Sequence, residues 1–252
     1  MAFAIAVANL KETMKEPGCP ICSLERKAAR KTADGFLYEH MMDPEAREEA
    51  LSAYGFCPPH TRLMAATELA STGEPQGINM LYETLNRRVS AELKAWQGQA
   101  AVTSGLRGLL ERLGLSSTAG MRALRPAHGC PVCAAANLAG LNALTTLMDE
   151  LQRATPDITQ AYLSSDGLCI RHVRLALEKL SGSHPKATRW LIAQTTARLD
   201  RQAAAMQEFV RKKNWEYHEE KLTAEEALAW RQSLTFFTGY PGDSFTFNAE
   251  DL

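Results

Sequence analysis

The sequence predicts an all-α fold made of two similar helical units. Segments rich in Ala, Leu, Lys, Arg and Glu, which are good helix formers, alternate with Pro and Gly breaks. No segment shows the alternation of apolar and polar residues that indicates a strand. The same order of motifs occurs twice within the 252 residues. We therefore expect a first helical repeat at residues 1–125 and a second at 126–252 with a C-terminal helix, together forming one compact domain.

Local signals indicate where the helices begin. A helix is expected from Ser23 to about Tyr38. The Asp-Pro-Glu sequence at 43–45 is typical of an N-cap followed by proline in the first turn, and Thr-Pro-Asp at 155–157 occupies the same place in the second copy. We expect a short helix after each of them.

The predicted helices in the rest of the chain are longer. One is expected over about 78–112 and another over about 186–217. A last helix is predicted to begin near Thr223, where Glu226 completes a Thr-x-x-Glu capping box.

Charge and hydropathy exclude several classes of protein. The net charge is -1 and the pI about 6.6, so no global field favours nucleic acid or an anionic membrane surface. The apolar start lacks the basic region of a signal peptide, and no stretch reaches the ~18 to 20 apolar residues of a membrane span. We expect a cytoplasmic protein whose thiols are kept reduced.

All six cysteines fall into repeated pairs. Two Cys-Pro-x-Cys pairs and two Cys-x-x-His pairs occur, and they contain Cys19, Cys22, Cys57, His60, Cys130, Cys133, Cys169 and His172. Pro44 precedes Cys57 by 13 residues, as Pro156 precedes Cys169. This shared register predicts an internal duplication.

The repeated pairs predict two metal sites, each with three sulfur ligands and one imidazole. If Cys57 and Cys169 each open a helix, the spacing places His60 and His172 on the same face of its first turn. Zinc favours such a tetrahedral donor set, so we expect two zinc ions per chain. An iron–sulfur cluster is the alternative cofactor. A redox dithiol is disfavoured because no βαβ pattern surrounds the Cys-x-x-Cys motifs.

Two pairings of the ligands are open. Each site could be local, with Cys19 and Cys22 meeting Cys57 and His60, or the two copies could exchange pairs. Local closure needs less chain entropy, and we therefore expect it.

Other recurring or isolated residues near the motifs are weaker candidates. Arg62 and Arg174 follow each ligand histidine by two positions and are expected either to offset the charge of the thiolates or to form ion pairs on a helix face. His128 is expected to be a loop residue. Three histidines without a counterpart in the other copy are expected at the surface: His40, His184 and His218.

The motifs favour binding over catalysis. No phosphate-binding loop, nucleophile elbow or metalloprotease signature occurs. The leading hypothesis is a zinc-stabilised helical scaffold that binds a protein or small molecule. The alternatives are an iron–sulfur protein in electron transfer or redox sensing, and a zinc- or thiol-dependent enzyme.

The chain also resembles a known family. Gly-Cys-Pro-x-Cys paired with Gly-[Phe/Leu]-Cys-x-x-His, in two copies, and an ending that runs from 209–215 through a short helix to Gly239 are similar to an uncharacterised bacterial family of unknown function. The resemblance implies the duplicated cysteine architecture and a bacterial cytosolic setting. It implies no reaction and no catalytic residue.

Overall fold

The computed structural model describes residues 2–112, 124–217 and 219–241, and within them the protein is helical, without a strand. The α-helices of this part of the chain are α1 (Ala2–Thr13), α2 (Pro20–Gly35), α3 (Pro44–Ser52), α4 (Pro58–Thr72), α5 (Gln76–Arg112), α6 (Pro131–Arg153), α7 (Pro156–Ser164), α8 (Ile170–Leu180), α9 (Pro185–Lys212) and α10 (Ala224–Thr238). The predicted all-α class is confirmed.

The chain divides into two compact units. Unit 1 combines residues 1–27 with 136–252, and unit 2 is the continuous segment 28–135. The boundaries therefore fall inside α2 and α6. The boundaries of these two units differ from those of the sequence repeats, which were expected at 1–125 and 126–252.

Unit 1 has a core of large apolar side chains from several helices. The fully buried members include Leu10 of α1, Leu144 and Leu147 of α6, Ile158 of α7 and Leu191 of α9. The Tyr162 ring contacts Trp190 edge to face, with centroids 5.4 Å apart. Cys19, Ile21, Cys22 and Cys169 lie in this same core, so the core fixes the start of α2 against the start of α8.

Unit 2 has a smaller core of its own. Phe36 and Phe56 meet edge to face at 5.3 Å, and Met64 and Leu81 are fully buried. The buried carboxylate of Glu68 accepts hydrogen bonds from the first backbone amides of α5. These amides have no partner within their own helix, so Glu68 caps α5 from α4.

Helix α6 is long and apolar enough, by length and composition alone, to cross a membrane. The core helix of a globular unit meets the same criterion. In this helix Leu144, Leu147 and Met148 are completely buried within unit 1, which accounts for its apolar composition.

Most predicted helix starts are confirmed. Asp43 caps α3 by accepting from the amides of Glu45 and Ala46, at 2.8 and 3.2 Å. Thr223 and Glu226 form the predicted capping box of α10.

The predicted helix over 186–217 is too long. Helix α9 ends at Lys212, and a separate 3₁₀ turn covers Trp215–Tyr217. The expectation that His184 lies at the surface is wrong, because it is buried at the start of α9 and its Nε2 lies 2.9 Å from Asp149. His218 lies outside the described residues.

The N-cap of α3 yields a testable stability difference. Asp43→Ala removes two hydrogen bonds to the first turn and should cost about 1 kcal/mol of unfolding free energy. Thr155→Ala is the matched control, since Thr155 is the N-cap of α7 but its side chain makes no capping hydrogen bond. Urea titrations followed by circular dichroism should show a clear loss for Asp43→Ala and almost none for Thr155→Ala. Equal losses would contradict the assigned role of Asp43.

Candidate metal centres

The structure brings the eight candidate ligands together in two groups of four. Quartet A consists of Cys19, Cys22, Cys169 and His172, and quartet B consists of Cys57, His60, Cys130 and Cys133. Within each quartet the donor atoms all lie within 4.8 Å of one another. Quartet A lies in unit 1 and quartet B in unit 2.

In quartet A, three sulfurs surround the Nδ1 atom of His172. This atom lies 3.4 Å from the sulfurs of Cys19 and Cys22 and 3.3 Å from that of Cys169. The Cys22 and Cys169 sulfurs are 3.6 Å apart. A zinc tetrahedron with Zn–S bonds of about 2.3 Å places two sulfurs about 3.8 Å apart. The donors of quartet A therefore fit around one ion without rearrangement.

Quartet B repeats this geometry. The Nδ1 atom of His60 lies 3.2 Å from the sulfurs of Cys57 and Cys133 and 3.5 Å from that of Cys130. The Cys57 and Cys133 sulfurs are 3.5 Å apart. All the cysteines are free thiols, and these sulfur separations are far longer than the ~2.05 Å of a disulfide bond.

Helix starts position every ligand. The prolines of the two Cys-Pro-x-Cys motifs begin α2 and α6, while Cys57 and Cys169 are the N-caps of α4 and α8. Each histidine then falls in the first turn, on the same side as the capping cysteine. Two helix N-termini thus meet at each quartet, where their free amides and positive dipole ends stabilise thiolate charge.

The expected local pairing is wrong. Cys19 and Cys22 meet the Cys-x-x-His pair of the second copy, and Cys130 and Cys133 meet that of the first. Joining Cys22 to Cys169 spans 147 residues. Loop entropy rises only logarithmically, by about 0.6 kcal/mol per doubling of length, so the longer closure costs about 1 kcal/mol more than the local one. Burial of the paired helix starts in one apolar core outweighs that difference.

A carboxylate supports the histidine of quartet A. With Nδ1 turned toward the sulfurs, Nε2–H of His172 donates to Oε1 of Glu25, 3.2 Å away. The other oxygen of Glu25 pairs with Arg171. Gly140 on α6 leaves space for this carboxylate, because a Cβ at that position would overlap it. A carboxylate behind a ligand histidine fixes its tautomer and makes it a better metal donor.

The end of α10 covers quartet A. Gly239 has φ +77, and a Cβ on it would lie 2.5 Å from the Cys22 sulfur and 3.3 Å from that of Cys169. Two residues further on, the backbone nitrogen of Pro241 would lie 3.1 Å from a Cβ built on Gly18, just before Cys19. The backbone of this C-terminal segment therefore packs directly on the sulfurs, and only glycine allows both the backbone angle and the contact.

Protonation in quartet A reflects how close its donors are. Burial raises the pKa of Cys19 well above its usual value, whereas hydrogen bonds from Cys19 and Cys22 hold the pKa of Cys169 far below it. Burial opposes a charged imidazole, but hydrogen bonds with Cys169, Cys22 and Glu25 outweigh it and raise the pKa of His172 to about 11. These opposite shifts favour a thiolate at Cys169 beside a protonated imidazole at His172, and a cation would compete with that proton for Nδ1.

In quartet B the imidazole behaves differently. Burial lowers the pKa of His60, and no carboxylate among the described residues offsets this effect. Burial, together with the neighbouring thiols of Cys57 and Cys130, raises the pKa of Cys133 to about 12. A neutral histidine is the form that binds metal, so His60 is available as a ligand near neutral pH.

The other candidates lie outside the quartets. Arg174 pairs with Glu178 along α8, at 3.6 Å, as expected for an ion pair on a helix face. The arginine at quartet A is instead Arg171. His128 is exposed and belongs to neither quartet.

Sequence reasoning missed Glu25 and Arg171, and it named Gly239 only as part of the family resemblance, without a role at the site. Neither Glu25 nor Arg171 has a counterpart in the other copy, since Ala136 and Pro59 stand at the corresponding positions. The comparison between the copies, which identified the ligands, therefore gave no signal for these two. The spacing of Glu25, one helical turn after Cys22, was the only available indication.

The fold and the two quartets define an all-helical protein with two Cys₃His clusters suited to metal ions. The chain belongs to a family of unknown function, DUF6062, whose pattern matches residues 1–240. It is 23% identical over 237 residues to a protein described as "Uncharacterized 23.9 kDa protein in xynA 3'region" from Caldicellulosiruptor sp. (strain Rt8B.4), covering 90% of this chain and 98% of that protein. No solved structure matches.

Gly239 offers a test of the cover on quartet A. Gly239→Ala should push the end of α10 away from Cys22 and Cys169, and weaken metal binding at quartet A. Gly73→Ala is the matched control, because Gly73 ends α4 at φ +74 and a Cβ there meets nothing within 4 Å. The control should lose about 1 kcal/mol of stability from backbone strain and keep its metal content.

Metal content per chain, measured after dialysis against a weak chelator, separates the two variants. An unchanged metal content in Gly239→Ala would show that the α10 segment does not support quartet A.

Proposed function

We propose that the protein is a zinc-stabilised helical scaffold, with one ion in each quartet, that acts by binding a partner rather than by catalysis. The observation that carries the proposal is the presence of two complete sets of four protein donors. Zinc bound by four protein ligands has no open position for water or substrate, which is typical of structural sites.

The donor set supports zinc in particular. Three thiolates and one imidazole form a soft, tetrahedral site, which suits zinc and excludes magnesium or calcium. The distances from the histidine Nδ1 to the sulfurs in each quartet, and the Cys22–Cys169 sulfur distance, are 3.2 to 3.6 Å. An iron–sulfur cluster spreads its ligands over several iron atoms, so such short separations favour a single ion.

The ions would contribute much of the stability of each unit. Structural zinc sites bind with about 10 to 16 kcal/mol near neutral pH, which is comparable to or larger than the net stability of a domain. Each ion would connect two helix starts that are distant in sequence. Helix packing in each unit would therefore depend on the metal.

The remaining properties of the scaffold follow from the same sites. Six free thiols without a disulfide suit a reducing compartment, and we place the protein in the bacterial cytoplasm. The matching order of Cys-Pro-x-Cys, short helix and Cys-x-x-His supports an origin by internal duplication. The partner is a protein or a small molecule, and the balanced charge disfavours nucleic acid.

Elemental analysis of the untagged protein tests this function. Anaerobically purified protein should be colourless and contain two zinc ions per chain. Removing zinc with a strong chelator should reduce the helical signal and lower the melting temperature, and added zinc should restore both.

Stoichiometric iron together with visible absorbance would show that the quartets hold an iron–sulfur centre rather than zinc. A chain that contains no metal, yet keeps its full helicity and melting temperature, would contradict a metal-stabilised scaffold.

A further inference from the structure

The two quartets have nearly the same donor geometry but different surroundings. In quartet A the ligands are almost completely buried, with 0% of Cys19 and His172, 2% of Cys169 and 8% of Cys22 exposed. In quartet B all four ligands are partly exposed. The ligands of quartet B are therefore more accessible to an incoming molecule than those of quartet A.

The support behind the histidines differs as well. His172 donates to Glu25, whose carboxylate is held by Arg171 and seated against Gly140. Among the described residues, none is hydrogen-bonded to Nε2 of His60. The positions in quartet B that correspond to Glu25 and Arg171 are Ala136 and Pro59, neither of which can accept from or pair with an imidazole.

The covering segment is a third difference. The sulfurs of Cys22 and Cys169 are covered by the backbone of Gly239. In quartet B the glycine before the Cys-Pro-x-Cys pair, Gly129, has nothing within 4 Å of a Cβ built on it, whereas the corresponding Gly18 is packed against Pro241. On the side of Gly129, no described residue therefore covers the start of α6, whereas Pro241 covers the start of α2.

We propose that the two sites have different roles: quartet A holds its ion permanently, and quartet B exchanges its ion with soluble thiols or chelators. This inference rests on the proposed function, since it requires both quartets to bind metal. It adds an activity to the scaffold, which is the reversible loading and release of one zinc ion per chain.

The exchange is a ligand substitution. An incoming thiol gives up its proton and its sulfur bonds to the zinc ion, while the bond from zinc to one cysteine sulfur of quartet B breaks. The departing cysteine takes up a proton, so charge and protons balance and no oxidant is needed. Further substitutions of the same kind release the ion to the competing ligand.

Kinetics of metal release from the full chain test the inference. Protein loaded with two zinc ions is mixed with excess 4-(2-pyridylazo)resorcinol, and the ions remaining per chain are counted by native mass spectrometry. The loss of the first ion should be about 10 to 100 times faster than the loss of the second, which is the usual range for the effect of a partner behind a metal ligand.

Variants assign each phase to a quartet. His60→Ala should contain one ion, which leaves at the slow rate of the wild type. Glu25→Gln should still bind two ions, with the slow phase accelerated about tenfold and the fast phase unchanged. Asp34→Asn is the matched control, because it removes the same charge from an exposed position on the same helix and should change neither phase.

Alkylation of the wild-type protein also assigns each phase to a quartet, and this experiment does not depend on whether a variant folds. When one ion remains, iodoacetamide should label Cys57, Cys130 and Cys133 and leave Cys19, Cys22 and Cys169 unlabelled. The opposite labelling pattern, or loss of both ions at one rate, would overturn the inference while leaving the zinc scaffold intact. A chain that never binds zinc would instead contradict the proposed function itself.

Discussion

The convergence of helix starts on sulfur is the constraint on which the structure depends. Each quartet needs two helices that begin at the same point in space, one supplying a Cys-Pro-x-Cys pair and the other a Cys-x-x-His pair. The first amides of a helix have no partner in the helix itself, so they are free to stabilise the negative charge of thiolates. The helix starts therefore suit thiolate ligands electrostatically, although the N-cap residues Cys57 and Cys169 make no side-chain capping hydrogen bond.

The members of the two quartets could be predicted from the sequence because both copies carry them in the same register. Helices α2 and α6 begin at the prolines after Cys19 and Cys130, whereas the helix predicted in the first copy was expected to begin at Ser23. These features are local, since proline geometry and the i to i+3 spacing of Cys-x-x-His act within one turn. The all-α class, the cap at Asp43 and the capping box of α10 could be predicted for the same reason, because they also depend on local sequence.

Features that depend on tertiary packing could not be predicted. The choice between local and exchanged pairs is a difference of about 1 kcal/mol in loop entropy, which a few buried side chains outweigh. Glu25 and Gly239 look ordinary in the sequence, because their roles arise from contacts with residues far along the chain. The end of α9 at Lys212 rather than near 217 shows the usual uncertainty of helix boundaries.

The exchanged pairing also sets an order of assembly during synthesis on the ribosome. All residues of unit 2 and of quartet B are present once the chain has emerged to residue 135. The first pair of quartet A is made early but waits for His172, and its cover waits for Gly239. Since domains fold as they emerge, the inserted middle segment can mature first, while the N-terminal thiols of the nascent chain lack their partners until about two thirds of the chain has been made.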